Sequence, residues 1–452
     1  MLVVISDLHL NDGTVCTATD SHAAEIFFLE LSNQIEAAGH RCLEGTSCYK
    51  PVEEIDIVML GDVLDIIRSE RWLTDNVRPW DDVEKYAHTA TEITKEICRV
   101  NKKFLDYFKD ASENGIKVFY PGTTDQFTCK VNLHYMVGNH DWFPYVDSPL
   151  LDELRQVIRD AFGLKQVKFP WKIEEWNDDA HKIHATCMNH RVYLQHGDQY
   201  DEYNYHKDIG RDGSSLGDAI VVELVTKFPV EVIKRIKRKY PDATFSRDFL
   251  QSLEELDNVR PSTHTVIYLR NVIEKLAQSK HREIVKEVFY ECTESIQKSR
   301  IFKEVSKHDK LATLKLNILN FTSKWSPTIV VRFVTNVLGL FRDSYAKRAE
   351  NESYVRSGKC DYVTYGHTHE MLTEGIGIRQ VKDGLPVPQI YINSGTWRPV
   401  NIEIQPESRK VRGFPYYSEK TMVWVAYFKD GERKGRNYEI WSGQLGLKSL
   451  TQ

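Results

Sequence analysis

The sequence predicts an α/β fold with a large helical insertion, and two observations lead to this prediction. Five short apolar runs, rich in β-branched and aromatic residues, each stop at a glycine or at an Asp, Asn or His side chain. Continuous apolar runs of this kind are typical of strands that are buried on both faces of a sheet. Residues 203–358 are helix-like almost throughout, and this stretch is too long to be a loop.

The five predicted strands place polar side chains at their carboxyl ends. In chain order they are "LVVIS" (2–6) before Asp7 and His9, "IDIVML" (55–60) before Asp62, "NLHYMV" (132–137) before Asn139 and His140, "RVYLQ" (191–195) before His196, and "DYVTY" (361–365) before His367 and His369. Ligands of such sheets bind beyond the carboxyl ends of the strands. We therefore expect these side chains to converge on one place.

The domain organisation follows from the position of the helix-like stretch. Residues 1–202 and 359–452 are predicted to form the core, and residues 203–358 an inserted cap. Apolar residues at helical spacing predict a helix over 83–110 and, within the insert, over 216–228, 230–240, 246–257, 264–278, 281–299 and 326–348. The chain returns to strand-like patterns at 389–397 and 421–428.

The composition of the chain argues against several classes of protein. The formal net charge of the 452-residue chain is −5, whereas a protein that binds nucleic acid usually has a basic balance or a basic face. The eight cysteines are scattered without a C-x-x-C pair, which argues against a zinc knuckle or a disulfide scaffold. The N-terminus lacks the features of a signal peptide, and no run reaches the ~20 apolar residues of a membrane span. We therefore expect a soluble, cytoplasmic protein.

The order of the polar motifs predicts a metal site. The motifs are D-x-H, G-D-x-x-D, G-N-H-D, H-G-D and G-H-T-H; each alone is a weak signal, but all five occur in order, each behind a strand. Two divalent ions about 3.5–4 Å apart can clamp the attacking and leaving oxygens of a phosphoryl displacement. One aspartate can bridge such ions, and mixed His, Asp and Asn ligands suit manganese, iron or zinc.

These motifs resemble those of the calcineurin-like metallophosphoesterase superfamily. The resemblance covers residues 1–200 and 359–445, and it implies a two-sheet sandwich flanked by helices. It implies hydrolysis of a phosphate ester or pyrophosphate bond by a metal-bound hydroxide, with manganese as the expected metal and iron, zinc or magnesium as alternatives. One metal ion would be bound by Asp7, His9, Asp62 and His369, and the other by Asp62, Asn139, His196 and His367, so that Asp62 is the bridge.

The resemblance also implies roles for residues that do not bind metal. His140 would stabilise the charge that develops on the phosphate or would protonate the leaving oxygen. Asp65 would orient His140, although a carboxylate at this position is also favoured by a helix N-terminus. Asp141 and Asp198 are expected to cap turns or to orient ligands.

The substrate is predicted only as a class. The motif order and the place of the insert resemble the UDP-2,3-diacylglucosamine pyrophosphatase branch, which implies a nucleotide-type substrate with a lipid-like moiety under the cap. That branch has an arginine at the position of His140, so a phosphoesterase or pyrophosphatase with a helical cap is the preferred interpretation. The alternatives are a nuclease of the same superfamily, whose phosphate backbone the basic run at 234–239 could bind, and a partner-binding scaffold with a vestigial metal site.

Overall fold

The architecture comes from a computed structural model of the chain. It describes residues 1–16, 20–43, 45–165, 169–170, 182–206, 208–245, 250, 252–253, 255–260, 268, 281–308, 345–381, 384–403 and 416–449. Within these ranges, every helix is too short or too polar to cross a membrane. Strands and helices alternate along the first half of the chain, and the prediction of an α/β fold is confirmed.

The strands fall into two main sheets and a hairpin. Their bounds are β1 Leu2–Ile5, β2 His40–Leu43, β3 Thr46–Tyr49, β4 Glu54–Leu60, β5 Ile116–Phe119, β6 Gln126–Met136, β7 Val192–Leu194, β8 Val259–Arg260, β9 Tyr362–Tyr365, β10 Leu372–Arg379, β11 Val387–Asn393, β12 Pro399–Glu403, β13 Tyr416–Tyr427 and β14 Tyr438–Ser449. All five strands predicted to precede the polar motifs are present, as β1, β4, β6, β7 and β9.

The helices have the following bounds: α1 Ser21–Ala38, α2 Arg71–Thr74, α3 Val83–Val100, α4 Lys102–Asn114, α5 Asp152–Phe162, α6 Lys182–Asn189, α7 Leu216–Ile220, α8 Lys227–Lys239, α9 Arg282–Lys298, α10 Arg300–His308, α11 Tyr345–Glu350 and α12 Ser353–Arg356. The helix predicted over 83–110 is interrupted at Asn101, where α3 ends and α4 begins. The helix predicted over 281–299 is α9. The predicted helices at 264–278 and 326–348 lie largely outside the described residues, as does half of the one predicted at 246–257.

The larger sheet has eight strands in the order β5-β6-β4-β1-β13-β12-β8, with β14 also paired to β13. Strands β6, β4 and β1 are parallel neighbours. The long strand β13 pairs with β14 over 417–427, with β12 over 416–420 and with β1 over 425–427. The sheet is therefore mixed, and its parallel part contains the strands that precede the first three motifs.

The smaller sheet has four strands in the order β10-β11-β9-β7. Strands β7, β9 and β11 are parallel, so the last two motifs follow the ends of two adjacent strands. One face of the larger sheet, represented by Leu2 and Val4 of β1, shares an apolar cluster with Val192 and Val363 of the smaller sheet. The opposite face of β1 belongs to a second cluster together with α1, α3, α4 and α5. The core thus contains one apolar layer shared by the two sheets and another between the larger sheet and these helices.

The described part of the insert has its own apolar clusters. Helices α7 and α8 form a continuous helical stretch, because a π-helical segment at Val221–Thr226 joins them. The sequence predicted two separate helices here, at 216–228 and 230–240. Residues of α8 and α9, including Phe228 and Val285, form one cluster. The insert also reaches the core, because β8 extends the larger sheet beside β12.

Candidate metal centre

The strand registers bring the motif residues to one region. In the larger sheet Ile5 is opposite Met59, and Leu60 is opposite Met136. In the smaller sheet Leu194 is opposite Thr364. The carboxyl ends of these five strands are thereby aligned, as parallel neighbours in each sheet. Three motifs follow the larger sheet and two follow the smaller one, so the site forms between two sheets rather than at the edge of one.

A first group of four side chains lies close enough together to hold a metal ion: Asp7, His9, Asp62 and His369. The Nε2 atoms of His9 and His369 are 2.9 Å apart. Nε2 of His369 is 3.3 Å from Oδ1 of Asp7, and Nε2 of His9 is 3.6 Å from Oδ2 of Asp62. All four side chains are buried. Two imidazole nitrogens at this separation need a proton or a cation between them, so the donor set fits a divalent cation.

A second group consists of Asp62, His196 and His367, and it shares Asp62 with the first. Nε2 of His196 is 3.3 Å from Oδ2 of Asp62. The Oδ1 atom of Asn139 lies 3.2 Å from Nε2 of His196 and 2.9 Å from Nδ1 of His367. The four residues predicted to bind the second metal ion are therefore neighbours. An amide oxygen, a carboxylate and two imidazoles also fit a divalent cation.

A backbone carbonyl group that is not part of the donor set fixes the orientation of the His196 ring. Its Nδ1 atom lies 2.8 Å from the backbone carbonyl oxygen of Leu60, so Nδ1–H donates to that carbonyl. Nε2 then points to Asp62 and Asn139. Metal-binding histidines commonly have this arrangement, in which the ring nitrogen that does not bind metal donates to a carbonyl or carboxylate.

Five of the motif residues have left-handed backbone conformations. The φ angles of Asp7, His9, Asp62, His367 and His369 are 53°, 48°, 50°, 69° and 62°. Residues other than glycine rarely adopt such angles, and each costs of order 1–3 kcal/mol. Their concentration at one place is typical of a functional site, because the surrounding structure must impose them.

Two glycines make room for the cluster. A Cβ atom on Gly138 would collide with Oδ1 of Asp62, and one on Gly366 would collide with Oδ2 of Asp7. The glycines that precede Asn139 and His367 are therefore needed because a carboxylate lies directly against the backbone there.

The buried carboxylates are held ionised by the histidines. Burial opposes the ionisation of Asp62, but the charges of His196 and His140 hold its pKa well below the usual range. For Asp7, burial is likewise outweighed by a hydrogen bond from His369 and by the charge of His196, and the pKa is lowered. Burial alone would lower the pKa of His196, yet the charge of Asp62 raises it to about 10. A bound divalent cation would replace that proton.

His140 and Asp65 form a buried pair beside the first group. Nδ1 of His140 is 2.6 Å from Oδ1 of Asp65, and Nδ1 of His9 is 3.4 Å from Oδ2. Burial opposes ionisation of Asp65, but His140 and His9 lower its pKa below the usual range. Asp65 thus contacts both the proposed acid and a proposed metal ligand. It is not at a helix N-terminus, since α2 begins at Arg71.

The two other aspartates of the motifs orient the loops. The Asp141 carboxylate accepts from the backbone N–H groups of Gly138 at 2.6 Å, Val63 at 2.9 Å and Asp62 at 3.2 Å. Asp198 forms a buried ion pair with Arg211. Both therefore act on the loops that contain the candidate ligands.

The site includes residues that the sequence analysis did not single out. Oδ2 of Asp201 lies 3.1 Å from Nε2 of His367, and Oδ1 of Asn204 lies 3.3 Å from Nδ2 of Asn139. Nη1 of Arg398 is 3.5 Å from Oδ2 of Asp65. Asp218 in α7 is buried, which raises its pKa to about 6, and it is within electrostatic range of His140. The only sequence signal for Asp201 was a carboxylate shortly after the H-G-D motif.

No family model matches the chain, and no curated protein matches it significantly.

Proposed function

We propose that the chain is a dinuclear metal-dependent phosphoesterase of the calcineurin-like superfamily, with its two sheets as the sandwich and its helical insert as a cap. The single observation that carries the proposal is the position of Asp62, which belongs to two adjacent metal-competent groups. A shared carboxylate is what two divalent cations need in order to lie close together.

The candidate metal ligands form two sets, and Asp62 belongs to both. Two divalent cations, when bound, would supply the charge that polarises a phosphate group and activates water. Asp7, His9, Asp62 and His369 would hold one cation, and Asp62, Asn139, His196 and His367 would hold the other. Manganese is the expected metal, with iron, zinc or magnesium as alternatives.

His140 would act on the leaving oxygen of the substrate. The ionised Asp65 accepts from Nδ1–H at 2.6 Å, which fixes the ring orientation and keeps a proton on Nδ1. A proton on Nε2 is then the one that passes to the leaving oxygen. The His140 side chain is 11% exposed while that of Asp65 is 1% exposed, so His140 is the member of this pair that a substrate would reach.

The insert supports a capping role through its contacts with the core. Arg78 of the core pairs with Glu223 of the insert at 2.6 Å, and Asp82 pairs with Arg300 at 3.1 Å. The core and the insert also line a cavity of about 280 Å³, whose walls include Asp82, Arg300 and Trp142, which follows the third motif. Contacts with the non-reacting part of a substrate tune specificity, and this cavity would bind that part.

The nuclease alternative is less well supported by the described residues. The basic run of α8 includes Lys234 and Arg235, which pair with Glu231 and Glu291. These carboxylates offset the charge of two of the five basic residues in the run, which leaves less positive charge for a phosphate backbone. The scaffold alternative gives no reason for two buried donor groups that share one carboxylate.

The decisive experiment is a substrate screen of the purified chain with added manganese. It should include aryl phosphates, bis-aryl phosphodiesters, nucleotide sugars, cyclic nucleotides and DNA. We expect metal-dependent hydrolysis that Asp62→Asn abolishes and that Asp106→Asn, at an exposed position of α4, leaves unchanged. Hydrolysis of DNA alone would favour the nuclease, and metal-independent hydrolysis would contradict the proposal.

A further inference from the structure

Two residues at the junction of the core and the predicted insert, Asp201 at the end of the first core segment and Asn204 at the start of the insert, contact two of the candidate ligands of the second cation. Oδ2 of Asp201 is 3.1 Å from Nε2 of His367. Oδ1 of Asn204 is 3.3 Å from Nδ2 of Asn139. Asp201 and Asn204, which we call the bracket, therefore lie outside the donor group but against it.

The bracket residues determine which atom of His367 and which atom of Asn139 faces the second donor group. When Nε2–H of His367 donates to Asp201, Nδ1 is the nitrogen that approaches Asn139, at 2.9 Å. When the Asn139 amide nitrogen donates to Asn204, the Asn139 Oδ1 atom is turned to His367 and to His196, at 3.2 Å. Both orientations present an acceptor atom, which is what a cation requires.

Hydrogen bonds and a close contact with α7 hold Asp201 and Asn204 in place. The Asp201 carboxylate accepts from the backbone N–H of Tyr203 at 2.9 Å and from Nδ2 of Asn204 at 2.8 Å. The backbone N–H of Gly217, in α7, donates to the carbonyl oxygen of Tyr203 at 2.6 Å. A Cβ atom on Gly217 would collide with Oδ1 of Asn204, so α7 of the insert packs directly on the bracket.

We propose that Asp201 and Asn204 are positioning residues that set the affinity of the second cation site, and that the insert acts on this site through the contact of Gly217 with Asn204. The inference rests on the proposed function, since it requires that the chain bind two cations. It adds a second role for the insert, which would support the metal centre as well as cover it. Removing an outer partner of a metal ligand typically lowers metal affinity about 10–100-fold.

The test is a titration of metal-free protein with manganese. Calorimetry measures the affinity of each equivalent, and electron paramagnetic resonance detects paired manganese ions. In Asp201→Ala and Asn204→Ala we expect the second equivalent to bind about 10–100-fold more weakly while the first is unchanged. Asp201→Asn, whose amide oxygen still accepts from His367, should lose less. Gly217→Ala should reproduce the effect from within the insert. Asp208→Asn, at an exposed position of the same loop, is the matched control.

Selective loss of the second equivalent is a result that general destabilisation would not give, because that would weaken both equivalents. If the alanine variant of Asp201 does not fold, Asp201→Asn and Asn204→Ala decide the question. Unchanged second-site affinity in the bracket variants, with two equivalents bound by the parent chain, would overturn this inference alone. A parent chain that binds fewer than two equivalents would overturn the proposed function with it.

Discussion

Oδ2 of Asp62 lies 3.3 Å from Nε2 of His196, and both side chains are buried. Asp62 follows β4 of the eight-stranded sheet, whereas His196 follows β7 of the four-stranded sheet. The contact therefore crosses from one sheet to the other. A cation bound between these residues would link the two sheets, so that metal binding contributes to the stability of the fold.

Manganese should stabilise the chain against unfolding, and a chelator should remove that stabilisation. At a free metal concentration 100 times the Kd, one site adds about 2.7 kcal/mol to the free energy of unfolding. Denaturant unfolding with and without metal measures this difference. In Asp62→Asn the metal-induced gain should fall and at least one equivalent of metal should be lost, because the bridging negative charge is gone. An unchanged gain in Asp62→Asn would rule out the bridge.

His140→Ala should keep both metal ions and lose rate. His140 contacts Asp65 rather than contributing to either group that contains Asp62, and loss of a positioned acid costs about 10²–10⁴-fold in kcat. The loss should be smaller for an ester with an acidic leaving group, which needs little protonation. Equal losses for acidic and basic leaving groups would show that His140 acts by electrostatics and not as the acid.

Gly138→Ala should disrupt the centre although it adds only a methyl group. The new Cβ atom would collide with the Asp62 carboxylate, and relief of such overpacking costs about 1–3 kcal/mol. Metal content and unfolding midpoint should both fall. Gly375→Ala is the matched control, because a Cβ there meets nothing within 4 Å. Comparable losses in the two variants would contradict this explanation.

Asp361 should make stability depend on pH at the acid side. Its carboxylate is 2.5 Å from Nε of Arg191 and 2.6 Å from Nε of Arg379. Burial opposes its ionisation, but the hydrogen bonds from Arg379 and Arg191 lower its pKa. The stabilisation is therefore complete above the unfolded pKa of ~3.9 and is lost as pH falls through the folded value.

Asp361→Asn should accordingly lower the free energy of unfolding by about 2 kcal/mol at pH 7. The difference in unfolding free energy between the two proteins should shrink as the pH drops below ~3.9. Denaturant unfolding across that range measures it. A difference that stays constant with pH would show that the charge of Asp361 is not what stabilises this corner of the smaller sheet.

The strands that precede the motifs could be predicted because their signal is local. Each combines apolar residues with a glycine or a polar stop, and β1, β4, β6, β7 and β9 all form. The division of these strands between two sheets has no local signal, since it depends on pairings between distant residues, such as Ile5 with Met59 in one sheet and Leu194 with Thr364 in the other. The α/β class was therefore predictable, whereas the sheet order was not.

The helix break at Asn101 shows a second limit. Apolar spacing continues through this residue, but its buried Nδ2 donates to the carbonyl oxygen of Asn11 at 2.8 Å and to that of Ile97 at 2.8 Å. A hydrogen bond to a loop 90 residues away is invisible to periodicity. The contacts of Asp201 and Asn204 could not be predicted for the same reason, because their partners are defined only by the folded chain.

The pairing of β8 with β12 has a consequence for any shortened form of this protein. Val259 and Arg260 cover the outer side of β12, and Asn401 of that strand donates to Glu255 at 3.2 Å. A chain cut or truncated within the insert would lose this cover and would present an open strand edge. Open edges pair with other chains, so we expect the insert also to protect this edge of the larger sheet from self-association and aggregation.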